Sequence, residues 1–270
     1  MEIMHVKRWV TGLVALPFLI FLVYQGGPFF VGLLCIVSVT ALWEYYRIVA
    51  LPEPAYSSLI AVLGFITAVS MILAAHASML DLCLAALALN LIGVGILSLT
   101  QYKHNPDILS TVRYQLQGLI YIPLLLGFLV LIRNQPDGMR WIFTILCIVF
   151  AGDTGAFYVG SYLGRNKLCP AVSPGKTIEG AIGGLAANAA VGSLIKWLFF
   201  TELAWGASLA FFLCAGAVGQ VGDLFESELK RSSQIKDSGT ILPGHGGLLD
   251  RIDALLFVAP VAYLFIRYIF

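Results

Sequence analysis

The sequence predicts an all-α integral membrane protein with about nine transmembrane helices and a cytoplasmic N-terminus. Of its 270 residues, 59% are hydrophobic and only 11% are charged, and the mean hydropathy is +0.90. Soluble domains carry about 25% charged residues. Nine apolar runs follow one another, each close to the roughly 20 residues that a bilayer-spanning helix needs. This length leaves no room for a sizeable soluble domain, and the net charge of +1 gives no indication of nucleic-acid binding.

The apolar runs are bounded by Gly, Pro and charged residues, so each is interpreted as one span. The first, Trp9–Tyr24, lacks a small-residue cleavage site at its end, which favours an uncleaved span over a signal peptide. The other eight predicted spans are Phe29–Val49, Tyr56–Ala75, Met79–Leu99, Leu116–Ile132, Arg140–Leu163, Ile178–Phe200, Trp205–Glu226 and Leu248–Phe270. In the second span, Glu44 is expected to extend its carboxylate to the cytoplasmic interface.

The distribution of lysine and arginine predicts the orientation, because cytoplasmic loops carry an excess of both residues. With a cytoplasmic N-terminus, 12 of the 16 lysines and arginines fall on the cytoplasmic side. The other four are Arg133, Arg140, Lys196 and Arg267. The polar segment 227–247 is then cytoplasmic, and the C-terminus lies on the opposite side.

Polarity also divides the chain into two predicted parts. Residues 1–135 hold five spans with few ionisable groups and are interpreted as a scaffold or an interface. Residues 136–270 hold four spans, and their cytoplasmic loop 227–247 is predicted to carry the active site. Helices with small-residue faces often associate, which also allows a homodimer, although no stretch identifies its interface. The five cysteines have no CxxC spacing and are interpreted as small core residues.

Four aspartates fall in the cytoplasmic half of the predicted spans, where a carboxylate costs roughly 2.5–3.5 kcal/mol. They are Asp153, Asp223, Asp250 and Asp253. The last two are spaced i, i+3 and share one helix face, so their charges repel unless a cation lies between them. Clustered carboxylates without nearby cysteine suit a hard ion such as Mg²⁺. The alternative is that these acids pair with Arg251 and Lys230 as solvated charges at a helix end.

Three further features indicate a crowded, anion-binding site. Glycines in spans six to eight predict closely packed helices. The segment Ser173-Pro174-Gly175-Lys176-Thr177 precedes span seven, whose first-turn amides together with Lys176 can hold an anion; an interfacial lysine that binds lipid headgroups is the alternative. His245 lies between glycines and could bind phosphate or transfer a proton, or serve only the structure of its loop.

The charged motifs of the C-terminal third resemble those of the phosphatidate cytidylyltransferases, the CDP-diacylglycerol synthases. The matching residues are Ser227-x-x-Lys230-Arg231, Lys236-Asp237-x-Gly239, Pro243-Gly244-His245-Gly246-Gly247 and Asp250-Arg251-x-Asp253. Ser173–Thr177 with Glu179, and Gly152-Asp153, are also similar to family features. The resemblance implies a Mg²⁺-dependent reaction in which CTP and phosphatidate form CDP-diacylglycerol and pyrophosphate. It further implies a place in phospholipid biosynthesis, and the compact size suggests a bacterial inner membrane.

The resemblance also implies the roles of individual residues. The expected metal ligands are Asp223, Asp250 and Asp253, with Asp153 either holding metal or orienting a basic group; a second cation is compatible with this set. The expected catalytic residues are Lys176, Lys230, Arg231, Lys236, Asp237 and His245. The expected substrate-binding residues are Ser173, Gly175, Thr177, Glu179, Gly244, Gly246, Gly247 and Arg251.

Three other functions compete with this interpretation. A CTP-dependent lipid kinase of the dolichol-kinase type would transfer the γ-phosphoryl group and release CDP. A CDP-alcohol phosphotransferase is disfavoured because its denser aspartate spacing is missing. A cation-coupled transporter would place its acids near the middle of the membrane, whereas these acids gather at one face beside a basic loop.

Overall fold

A computed structural model describes residues 17–49, the backbone of residue 50, and residues 58–235, 238–239 and 246–270. Lys236, Asp237, Gly244 and His245, all predicted above to act in the site, lie outside these residues. Helix α1 occupies residues 17–25 of the described chain. The other helices are α2 (Gly27–Ala50), α3 (Ser58–His76), α4 (Leu80–Gln101), α5 (Ile108–Leu119), α6 (Leu125–Arg133), α7 (Gly138–Leu163), α8 (Ile178–Phe199), α9 (Trp205–Ser232) and α10 (Leu249–Tyr268).

The protein is a multispan integral membrane protein with an all-α architecture. In the described chain, seven helical segments are long and apolar enough to cross a bilayer. They are Gly27–Val49, Ser58–His76, Leu80–Gln101, Ile108–Arg133, Gly138–Leu163, Ile178–Phe199 and Trp205–Ser232. These segments confirm predicted spans two to eight. The first and ninth spans remain predictions.

Two helices extend beyond their predicted ends. Span five begins at Ile108 instead of Leu116, and a π-helical turn (Ile120–Leu124) around Pro123 joins α5 to α6. Proline has no N–H to donate, which explains the irregular turn. Helix α9 continues through Ser232 instead of ending at Glu226. An ion pair between Glu226 and Lys230, one turn apart, supports this extension. The predicted loop 227–247 therefore begins with helix.

The chain forms two compact units. The first comprises the described residues of Met1–Asn134 and Ser232–Arg251. Its interior includes a polar network in which Thr67 donates to Asn90 (3.0 Å), and Asn90 and Gln115 exchange amide hydrogen bonds of 2.9 Å. Because water is absent from the bilayer core, such interhelical bonds satisfy polar groups and connect α3, α4 and α5.

The second unit comprises Gln135–Arg231 and Ile252–Phe270. Its helices α7 and α8 approach closely through glycine, as predicted for spans six and seven. A Cβ at Gly180 would lie 2.8 Å from the Ala156 carbonyl oxygen, and one at Gly184 would lie 2.9 Å from that of Gly152. A short antiparallel hairpin, β1 (Lys167–Cys169) and β2 (Ser173–Thr177), connects the two helices.

Candidate active site

The segment predicted to open span seven is the second strand of the hairpin, and it leads directly into α8. Thr177 caps this helix, because its side-chain oxygen accepts a hydrogen bond of 3.1 Å from the Gly180 amide. The Glu179 carboxylate accepts hydrogen bonds from the Arg165 amide (3.0 Å) and from the Asn166 side chain (2.8 Å). Glu179 therefore holds the end of α7 against the start of α8.

A cavity of about 430 Å³ opens between the hairpin and helices α7, α8 and α9. This volume lies within the range typical of small-molecule sites, about 300–1,000 Å³. The cavity is lined by Asp153, Ala156, Phe157, Gly160, Ser161, Leu168, Ser173, Gly175, Lys176, Thr177, Gly180, Ala181, Gln220 and Asp223. Two predicted metal ligands and four predicted catalytic or substrate-binding residues thus share one cavity.

The central contact of the cavity is an ion pair between Lys176 and Asp223. The Lys176 Nζ lies 2.6 Å from Asp223 Oδ2, and the two side chains are 26% and 36% exposed. The lysine comes from β2 and the aspartate from α9, so the pair joins two separate elements. This cation and this carboxylate both remain in contact with solvent inside the cavity.

Asp253 of α10 adds a third carboxylate to this part of the second unit. The negative charges of Asp223 and Asp153 and the positive charge of Lys230 all act on Asp253. The close approach of α9 and α10 depends on Gly222, where a Cβ would lie only 2.6 Å from the Asp253 carbonyl oxygen. Gly222, which precedes Asp223, therefore allows α9 and α10 to pack closely at this point.

The two basic residues near the end of α9 have different partners. Lys230 forms an ion pair with Glu226, which is fully buried. Arg231 Nε donates a hydrogen bond of 3.2 Å to the Val172 carbonyl in the hairpin. Glu226 was not predicted as a site residue, although an acid one turn before Lys230 is a signal for such a pair.

Asp250 belongs to the first unit, where it holds the chain before α10. Its Oδ2 accepts hydrogen bonds from the Ser238 amide (3.1 Å), the Ser238 hydroxyl (2.9 Å) and the Gly247 amide (2.9 Å). Gly246 has a φ of +81°, which a residue with a Cβ rarely adopts. Gly246 and Gly247 therefore shape the turn that brings amides to Asp250. Arg251 follows on the exposed side of the helix.

The expectation that Glu44 reaches the membrane interface is wrong. Its side chain is fully buried in the first unit. Its carboxylate accepts hydrogen bonds from the Leu248 amide (3.0 Å) and the Leu249 amide (2.8 Å) at the start of α10. These donors are orphan groups of a helix N-terminus, which attracts negative charge. They satisfy the carboxylate within the protein, so it has no need to reach water.

The acidic residues suit a hard divalent cation that binds together with a phosphate ligand. Within residues 17–49, 58–235, 238–239 and 246–270, no three His, Cys, Asp or Glu side chains form a group able to hold a metal. Mg²⁺ is usually bound by one or two carboxylates plus substrate phosphates and water, and not by a complete protein cage. Asp253, on which the negative charges of Asp223 and Asp153 act, fits that type of site.

Some residues near the predicted site were not named from the sequence. Gln220 lines the cavity and donates a hydrogen bond of 2.9 Å to the Ala181 carbonyl. Ser238 donates its hydroxyl to Asp250, and Phe157 lies at the cavity surface with 67% of its area exposed. Gln220 could have been predicted, because it is a polar residue three positions before Asp223. No feature of the neighbouring sequence indicated Ser238 or Phe157.

The sequence is similar to known cytidylyltransferases over almost its whole length. A model of the cytidylyltransferase family matches residues 6–269. A phosphatidate cytidylyltransferase of Bacillus subtilis (strain 168) is 34% identical over 263 residues, which is 95% of this chain and 96% of that protein. One from Staphylococcus aureus (strain COL) is 32% identical over 255 residues, 94% of this chain and 96% of that protein. One from Staphylococcus haemolyticus (strain JCSC1435) is 39% identical over 168 residues, 62% and 63% of the respective chains. The chain therefore belongs to the cytidylyltransferase family.

Proposed function

We propose that this protein is a phosphatidate cytidylyltransferase that forms CDP-diacylglycerol and pyrophosphate from phosphatidate and CTP. A phosphate oxygen of phosphatidate attacks the α-phosphorus of CTP. The bond between the α-phosphorus and the oxygen bridging to the β-phosphate breaks, and pyrophosphate leaves with that oxygen. The observation that carries the proposal is the cavity in which Lys176 pairs with Asp223 beside Asp153, in a chain of this family.

The chemistry requires positioning and neutralisation of charge more than proton transfer. Two polyanions must meet, and preorganised cations stabilise the charge that develops as pyrophosphate leaves. The second pKa of a phosphate monoester is about 6, so the phosphate of phosphatidate is largely ionised at neutral pH. No strong general base is then required. This fits a cavity that is lined mainly by small residues, with two carboxylates and one lysine.

The basic residues take the role of neutralising the substrates. Lys176 carries its ammonium group into the cavity and is the expected contact for a phosphate. Lys230 and Arg231, with Lys236, are assigned to the remaining phosphate charge, and His245 and Asp237 to the adjoining loop. Gly175, Gly244 and Gly246 have no side chain, so we assign their backbone donors to the ligand, whereas the Gly247 amide donates to Asp250.

A Mg²⁺ ion would be held by Asp223 and Asp253, with Asp250 and Asp153 as the further carboxylates of the set. When bound, the ion neutralises phosphate charge and orients the leaving group. A second cation is compatible with four acids. The Lys176 ammonium, 2.6 Å from Asp223, adds positive charge beside this carboxylate.

The substrates also suggest how the protein lies in the membrane. We place nine spans in the bilayer, with the N-terminus and segment 227–247 in the cytoplasm and the C-terminus outside. CTP is a cytosolic anion and phosphatidate a membrane lipid, so a cavity at the cytoplasmic end lets both reach the same point. The relatives are bacterial, which supports a location in a bacterial cell membrane. A homodimer stays a prediction from the small-residue helix faces.

Labelled CTP tests the reaction, and sealed vesicles test the orientation. Purified protein in mixed micelles with phosphatidate and Mg²⁺ should move label from α-³²P-CTP into the lipid, and label from γ-³²P-CTP into pyrophosphate. Transfer of the γ-label into lipid, with the α-label left in CDP, would instead identify a lipid kinase.

In sealed inverted vesicles added CTP should be consumed, whereas right-side-out vesicles should leave it intact; the reverse result contradicts the proposed orientation.

A further inference from the structure

The start of α10 is held by a residue far away in the sequence. The Leu248 amide donates to Glu44 Oε1 and the Leu249 amide donates to Glu44 Oε2. The residues involved are 204 and 205 positions apart and belong to one compact unit. Each carboxylate oxygen thus serves a different backbone donor of the same helix end.

Glu44 is also connected with Asp250 through a shared serine. The Ser238 hydroxyl lies 3.3 Å from Glu44 Oε2 and 2.9 Å from Asp250 Oδ2. A hydroxyl has one proton, so it donates to only one carboxylate at a time. Because Ser238 also donates its amide to Asp250, one residue connects both acids.

The chain is shaped to admit the Glu44 carboxylate. A Cβ at Gly239 would overlap Glu44 Oε1, and a Cβ at Gly247 would lie 2.8 Å from Glu44 Oε2. Gly239 and Gly247 are part of the motifs assigned to the active site. Their lack of a side chain makes room for the carboxylate, in addition to any contact with substrate.

We propose that Glu44 is a positioning residue for the active-site segment, holding Ser238 and the first turn of α10 so that Asp250 keeps a fixed place. The proposal rests on the cytidylyltransferase function, because only that function gives Asp250 and Asp253 a catalytic task. Glu44 is fully buried and acts through backbone and Ser238 contacts. Holding the first turn of α10 fixes the backbone that carries Asp250. In this role a residue of α2 contributes to catalysis indirectly, through the position of Asp250.

Substitution of Glu44 by glutamine tests the role with little change in volume. In glutamine one of the two carboxylate oxygens becomes an NH₂ group, so the Leu248 or the Leu249 amide that faced that oxygen meets a donor instead of an acceptor. In full-length protein we expect amide exchange in the peptide containing Gly247–Leu249 to become about tenfold faster. We expect kcat to fall by about tenfold, with KM for CTP and phosphatidate within about twofold. Exchange in α3 and α4 should stay unchanged.

The matched control is Asp81→Asn, the same chemical change at an exposed position in the first turn of α4; it should behave as wild type.

Unchanged exchange at Gly247–Leu249, or unchanged kcat, in E44Q overturns the proposal. Equally faster exchange throughout α3 and α4 also overturns it, because Glu44 would then be a general stability residue. If E44Q does not fold, Ser238→Ala must show a smaller change of the same kind, and wild-type behaviour of S238A overturns the proposal. Absence of cytidylyl transfer in the wild type would contradict the proposed function, while exchange would still report on the contact.

Discussion

Lys176 and Asp223 show how single residues define this site. Their side chains approach within 2.6 Å inside the cavity although they come from a strand and a helix that are far apart in sequence. Both were predicted from residue type: a lysine before a span, and a carboxylate inside one. The pairing itself was not predicted, since no local pattern reports which acid a lysine will meet. Glu44 was misjudged for the same reason, because its donors are 204 and 205 positions away.

Replacing Lys176 by methionine should remove the cation that we assign to a phosphate. We expect kcat/KM to fall by about 100-fold, the scale of losing one preorganised group that stabilises transition-state charge. The control is Lys167→Met, because Lys167 is an exposed lysine of the same hairpin and does not line the cavity. Steady-state kinetics with both variants in one detergent decides the matter. Equal rates for K176M and wild type would remove Lys176 from the site.

At the scale of elements, helix existence was predictable and helix ends were not. Long apolar runs predicted spans two to eight because hydrophobicity alone determines which segments enter a bilayer. Hydrophobicity did not predict the polar end of a helix. Helix α9 continues past the predicted end at Glu226 to Ser232, and the Glu226–Lys230 ion pair supports this polar part. The hairpin before α8 was also missed, because a few polar residues with Pro and Gly predict a turn equally well.

The contact of α9 with α10 should be sensitive to a single added methyl group at Gly222. A Cβ there would lie 2.6 Å from the Asp253 carbonyl oxygen. Overpacking costs about 1–3 kcal/mol, which exceeds the gain of about 1 kcal/mol that alanine brings to a helix. We therefore expect Gly222→Ala to lower the thermal unfolding temperature and to reduce activity. Gly206→Ala on the same helix meets no atom within 4 Å and should preserve both. Equal unfolding temperatures for the two variants would contradict this packing.

At the scale of the whole molecule, composition and charge distribution were sufficient for the fold class. Apolar runs of about 20 residues with few charges predict membrane helices, because a helix satisfies its backbone hydrogen bonds within one segment. The grouping of the described residues between Ser232 and Arg251 with the N-terminal helices was not predictable. Long-range hydrogen bonds at Glu44 belong to this grouping, and a pattern of polar and apolar residues does not predict such bonds. The motif residues could be predicted from the sequence, but the residues that contact them in space could not.

We propose that Asp223 and the aspartates around it hold the cation that activates CTP for transfer to a lipid. Anomalous diffraction from crystals grown with CTP and Mn²⁺ in place of Mg²⁺ tests it most directly. We predict a Mn²⁺ peak that contacts a CTP phosphate and lies about 2.1 Å from carboxylate oxygens of Asp223 and Asp253, a distance typical of Mg²⁺ sites. A peak on CTP that touches neither aspartate would contradict the account.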